Sequence, residues 1–137
     1  RVHTDTPAMA QALKAACPDG IDGYFENVGG YILDAVMLRM NAFGRIALCG
    51  MIAGYDGAPL PMAHPALLLL NRIKMEGFIV SEHMEVWPEA LAELGQLVAS
   101  GQLSPRQSIA QGIAAAPEAF LGLLKGKNFG KQLVKLI

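Results

Sequence analysis

The chain has 137 residues, 53% of them hydrophobic and 17% charged, with a mean hydropathy of +0.34. That suffices for one modest domain and excludes intrinsic disorder, which needs low hydrophobicity and high net charge. With 11 Lys and Arg against 12 Asp and Glu, the formal net charge is -1, so nothing is in excess to neutralise phosphates and nucleic-acid binding is not expected. Thr6-Pro7 opens a helix that runs through Ala16, with Thr6 as its cap and Pro7 at its first position. Pro18-Asp19-Gly20 ends it. A strand over Ile21 to Val28 stops at Gly29-Gly30. Tyr31 to Asn41 reads as a helix, because Ile32, Leu33, Val36, Met37 and Met40 recur at helical spacing, and Phe43-Gly44 closes it. Arg45 to Ile52 is apolar on both faces, as a buried parallel strand would be.

Ala53 to Pro65 breaks the pattern with two glycines and three prolines, a loop long enough to suggest a functional role. A short helix at Ala66 to Asn71 precedes a third strand, Lys74 to Val80. Pro88 to Ser100 is the most regular helix, with Trp87, Leu91, Leu94 and Val98 on one stripe; were that stripe core, Leu94→Ala would cost about 2–5 kcal/mol. Pro117 opens a further helix between strands at Ser108 to Gly112 and Gln132 to Leu136, after a turn at Gly126-Lys127-Asn128-Phe129-Gly130. Alternating strands and helices predict an α/β fold with parallel βαβ units. Ligands bind such sheets beyond the carboxyl ends of the strands. Those ends are Asn27-Val28-Gly29-Gly30, Cys49-Gly50-Met51-Ile52 and Phe78-Ile79-Val80-Ser81.

Taken singly, the candidate motifs are weak. Gly29-Gly30 is no G-x-G-x-x-G, and its spacing favours a tight strand-to-helix turn. Cys49 reads as a small buried hydrophobe, and no cation is evident nearby to activate it. Cys17 and Cys49 form neither a disulfide framework nor a thiolate zinc pair, which favours reduced, cytoplasmic thiols. His3, His64 and His83 share no ligand spacing, so no metal site is expected. Asp22 and Glu26, four apart on a strand, make no acid–base pair. Tyr55 is either a loop aromatic covering apolar surface or a hydroxyl aimed at a substrate oxygen; position alone leaves both open. The start lacks an initiator Met and a signal-peptide core, and the apolar stretches are far short of the roughly 20 residues that span a bilayer.

Four blocks in order, together covering nearly the whole chain, carry a family resemblance. Gly20 to Gly30, Phe43 to Ile52 followed by Tyr55, Arg72 to Val80, and Ala116-Pro117-Glu118-Ala119-Phe120 with Gly126 to Lys131 resemble blocks of the medium-chain dehydrogenase/reductase superfamily. The match is to its zinc-independent, NADP-dependent branch of alkenal and prostaglandin reductases. Glu26 stands where that branch usually has Asp. The resemblance implies the C-terminal part of such an enzyme, since the catalytic domain and the glycine-rich pyrophosphate turn have no counterpart here. Residues 1–103 would be the later part of a doubly wound, Rossmann-type NADP(H)-binding domain, and 104–137 a segment returning to the catalytic domain.

By the same resemblance the intact enzyme would reduce the C=C bond of an α,β-unsaturated ketone or aldehyde with NADPH, a quinone being the alternative substrate. A non-catalytic fold fragment is the other alternative. Tyr55 would contact the carbonyl oxygen. Cys49, Gly50, Met51 and Ile52 would line the nicotinamide, main-chain groups of Phe78, Ile79 and Val80 would bind its carboxamide, Asn27, Val28 and Gly29 would contact ribose, and Asn128 would close over the cofactor. The strand Lys74 to Val80, as a sheet edge, would form a homodimer.

Overall fold

The computed structural model describes residues 5–137, so the readings placed on Arg1 to Thr4, His3 among them, lie outside the described residues. The chain divides into two compact units, the first ending at Glu82 and the second running from His83 to Ile137.

The first unit begins with helix α1, Thr6–Ala16. Its cap is Asp5 rather than Thr6: the Asp5 carboxylate accepts a hydrogen bond from the Ala8 amide at 2.9 Å, a stronger acceptor for an orphan helical N–H than a hydroxyl one residue on. Strand β1 is Ile21–Glu26, helix α2 Gly30–Met37 and strand β2 Met40–Leu48. The helix therefore ends four residues earlier than its periodicity suggests. Leu38 and Arg39 turn the chain, and the Ile21 amide bonds to the Arg39 carbonyl at 2.9 Å, drawing the following residues into the sheet. Met40 is buried, as its spacing implied, but as a strand residue. Phe43-Gly44 lies inside β2, where Phe43 takes a φ of 64° and the pairing with β1 slips between Ile21 and Gly23.

After helix α3, Ala66–Leu70, strand β3 covers only Lys74–Gly77, and Val80–Val86 winds into 3₁₀ turns instead of prolonging the strand. Glu82 causes this locally: its carboxylate accepts from the Ile79 amide at 2.8 Å, reaching back three residues as capping glutamates do. The three strands form a parallel sheet in the order β1-β2-β3. The α/β reading and the expected edge position of β3 both hold. The core is Leu33, Val36, Met37, Met40, Ile46 and Ile73, with Leu13, Ile21, Tyr24, Met62, Leu67, Leu68 and Met75 packed around it. Ile46 is buried while its neighbours Arg45 and Ala47 are exposed, so β2 is covered on one face, not on both as its apolar run suggested.

The second unit contains helix α4, Trp87–Ala99, strand β4, Gln107–Gln111, helix α5, Ala116–Leu124, and strand β5, Lys131–Lys135. β4 and β5 pair in parallel. The α4 stripe is not core here: Leu91, Leu94 and Val98 are 61%, 48% and 44% exposed. Helical periodicity names the face that wants cover, and cover must come from another surface.

Candidate active site

The carboxyl ends of the three strands are in register. Glu26 pairs with Leu48 and Leu48 with Gly77, so Val28, Met51 and Ile79 all follow strand ends on one rim. Phe25 and Phe78 confirm the alignment with an edge-to-face ring contact at 5.9 Å.

Glu26 organises this rim. It is fully buried. Its main-chain carbonyl accepts from the amides of Cys49 (2.9 Å) and Gly50 (3.2 Å). Its carboxylate oxygen Oε1 accepts from the amides of Val28 and Gly29, the latter at 2.9 Å. The negative charge thus lies under the N-terminus of α2, where the helix dipole favours it. The other oxygen, Oε2, is buried with no partner of hydrogen-bond geometry among the described residues. The Tyr24 hydroxyl nonetheless feels the carboxylate: burial first, then the Glu26 charge and hydrogen bonding to it, push its pKa up to about 12.

The next layer ties the first two strand ends together. The Ile52 and Ala53 amides bond to the carbonyls of Asn27 and Val28 at 3.1 and 3.0 Å. Glycine allows close packing at two places. A Cβ on Gly50 would lie 2.8 Å from Asn27 Oδ1 and 3.3 Å from the Tyr55 hydroxyl, and Gly29, at φ +78°, would place one 3.0 Å from Leu60 Cδ1.

Asn27, Val28, Gly29, Cys49, Gly50, Met51 and Ile52 therefore come together, and Tyr55, 66% exposed, reaches back from the loop to Gly50. Phe78 and Ile79 join them at the edge, but their amides are engaged within the chain, Phe78 with the Leu48 carbonyl at 3.1 Å and Ile79 with Glu82. Val80 opens the 3₁₀ turns. Asn128 belongs to the second unit, where its Nδ2 donates to the Gly130 carbonyl at 2.7 Å.

Two contributors were missed from sequence. Leu60 seats the long loop on Gly29, Gly30 and Gly54; the flanking Pro59 and Pro61, which hold it extended, were the available signal. Asp34, buried on α2, anchors the same loop by accepting from the Ala63 amide at 2.9 Å. Among the described residues no three His, Cys, Asp or Glu side chains stand together to hold a metal, and no helix is long and apolar enough to cross a membrane.

Residues 2–134 match the family described as zinc-binding dehydrogenase. The chain is 43% identical over 131 residues to prostaglandin reductase 1 of Mus musculus, covering 93% of this chain and 40% of that protein. It is 42% identical over 127 residues to the NADP(+)-dependent 2-alkenal reductase of Nicotiana tabacum, covering 92% and 37%. The crystal structure of CurA from Vibrio vulnificus in complex with NADPH superposes with a TM-score of 0.81 at 44% identity, covering 93% of this chain and 40% of that one. The chain spans about two fifths of the length of these relatives.

Proposed function

Because the chain belongs to the zinc-binding dehydrogenase family, within the medium-chain dehydrogenase/reductase superfamily, we propose that it forms the C-terminal part of an NADPH-dependent reductase of α,β-unsaturated ketones and aldehydes. The observation that carries this reading is the single rim on which Asn27 to Gly29, Cys49 to Ile52 and Tyr55 converge. Residues 1–103 would then belong to the dinucleotide-binding domain and 104–137 to the catalytic domain.

The rim suits a nicotinamide. Glycine at position 50 lets the Asn27 amide and the Tyr55 hydroxyl close in on the backbone there, which gathers polar groups beside the ring's place on the rim. When bound, the dinucleotide supplies the hydride that adds to the β-carbon of the substrate. Gly50 and Met51 line the ring, the Phe78–Val80 segment meets the carboxamide, and Asn27 to Gly29 meet the ribose. Tyr55 holds the oxygen end: its hydroxyl donates a hydrogen bond to the carbonyl oxygen as negative charge develops there, the role a metal would otherwise fill.

The exposed edge strand β3 supports a homodimer paired along that edge, and the free thiols of Cys17 and Cys49 support a reducing, cytoplasmic setting. The function is tested by assaying the full-length protein with NADPH against an enone, an enal and a quinone. Turnover of the first two above the third is expected; quinone turnover alone would overturn the reading. Light scattering that showed a monomer would remove the dimer.

A further inference from the structure

We propose that Glu26 is a positioning residue for the dinucleotide, acting through the turn it grips rather than by touching the ligand. Val28, Gly29, Cys49 and Gly50 all donate their amides to this one residue, two to its side chain and two to its carbonyl. The carbonyl bonds belong to the sheet and survive any substitution. The carboxylate bonds do not: they fasten Val28 and Gly29, next to the Asn27 and Val28 carbonyls that receive Ile52 and Ala53. A single buried oxygen therefore links the turn after β1 to the turn after β2. Apart from hydrogen bonding with the Tyr24 hydroxyl, the carboxylate is committed to the turn. What it retains is two charge-assisted bonds to main-chain donors at a helix N-terminus.

This inference rests on the reading of the rim as the cofactor site, and the experiment separates the two. In the full-length protein, Gly50→Val drives side-chain atoms against Asn27 and the Tyr55 hydroxyl and so disrupts the rim itself; Glu26→Leu removes both carboxylate bonds; Glu26→Gln keeps an acceptor of the same length; Glu26→Asp shortens the reach. Turn contacts are made equally in the ground and transition states. Glu26→Leu and Glu26→Asp are therefore expected to raise KM for NADPH by about tenfold with kcat within about twofold, and Glu26→Gln to restore KM to within about threefold of the parent. A merely structural role would instead lower Tm and the active fraction, hence apparent kcat, while leaving KM unmoved; that pattern overturns the proposal. If Glu26→Leu does not fold, Glu26→Asp carries the test, and unchanged KM there is equally fatal. If Gly50→Val leaves NADPH binding untouched in a fluorescence titration, the cofactor reading itself has failed, whatever the Glu26 variants do.

Discussion

The two compact units handle their apolar residues differently. The first encloses Leu33, Val36, Met37, Met40, Ile46 and Ile73 in a core of its own. In the second, Gly122 is the single buried residue, and Leu91, Leu94, Leu121 and Leu124 all face outward. Both units have amphipathic helices of similar quality, so the difference does not lie in local patterning. It lies in what each unit can supply to cover its own stripe: a sheet face for α2 in the first, a two-stranded pair in the second. A marginal unit of that kind gains most from surface contributed by further chain.

The largest expected effect tests the first half of that contrast. Ile46→Ala, at a site 2% exposed, should destabilise the chain by about 2–5 kcal/mol in urea unfolding. At the rim of the same unit, Tyr55→Phe in the full-length protein should lower kcat on an enone by about 100-fold, the order for losing one oxyanion donor; unchanged turnover would end that role. Gly50→Val should raise KM for NADPH by about tenfold, because its Cβ meets Asn27 Oδ1 at 2.8 Å and overpacking of that kind costs on the order of 1–3 kcal/mol. For the second unit, Leu94→Ala should cost under about 1 kcal/mol in this chain and measurably more in the full-length protein. Equal losses in both would erase the contrast between the units.

The smallest effect concerns pH. The Tyr24 pKa is raised from 10.0 to about 12 in the fold, so the folded state holds a proton that the unfolded chain releases earlier. Stability from this group is fully present below pH 10 and is lost as pH rises toward 12. A Tyr24→Phe variant should show a flatter decline over that window in alkaline unfolding followed by circular dichroism.

Most of the element order was legible because it depends on local signals. Pro7, Pro88 and Pro117 open helices and Gly29, Gly101 and Gly126 punctuate them, so the helix–strand alternation and the parallel sheet followed. The strand-end segments of the site were legible for the same reason, since topology alone brings them to one edge. What was not legible depends on long-range partners. Met40 and Asn41 left the helix because Ile21 offered a strand to pair with. Val80 left the strand because Glu82 offered a carboxylate to the preceding amide. Asp34 pins the loop across 29 residues at Ala63, and Leu60 pins it against the distant Gly29 and Gly30; no spacing rule encodes such contacts. Glu26, noted in sequence only as no acid–base partner for Asp22 and as a departure from the usual Asp, proved to be the residue to which four rim amides donate.

Those spent amides have a consequence for how a dinucleotide can lie. A rim whose main-chain donors at Val28, Gly29, Cys49 and Gly50 are already engaged by the buried Glu26 offers few free donors to a phosphate and a better berth to an uncharged aromatic ring. On the proposed reading of the rim, the neutral end of the dinucleotide would lie here and its doubly anionic bridge against other donors of the full-length protein.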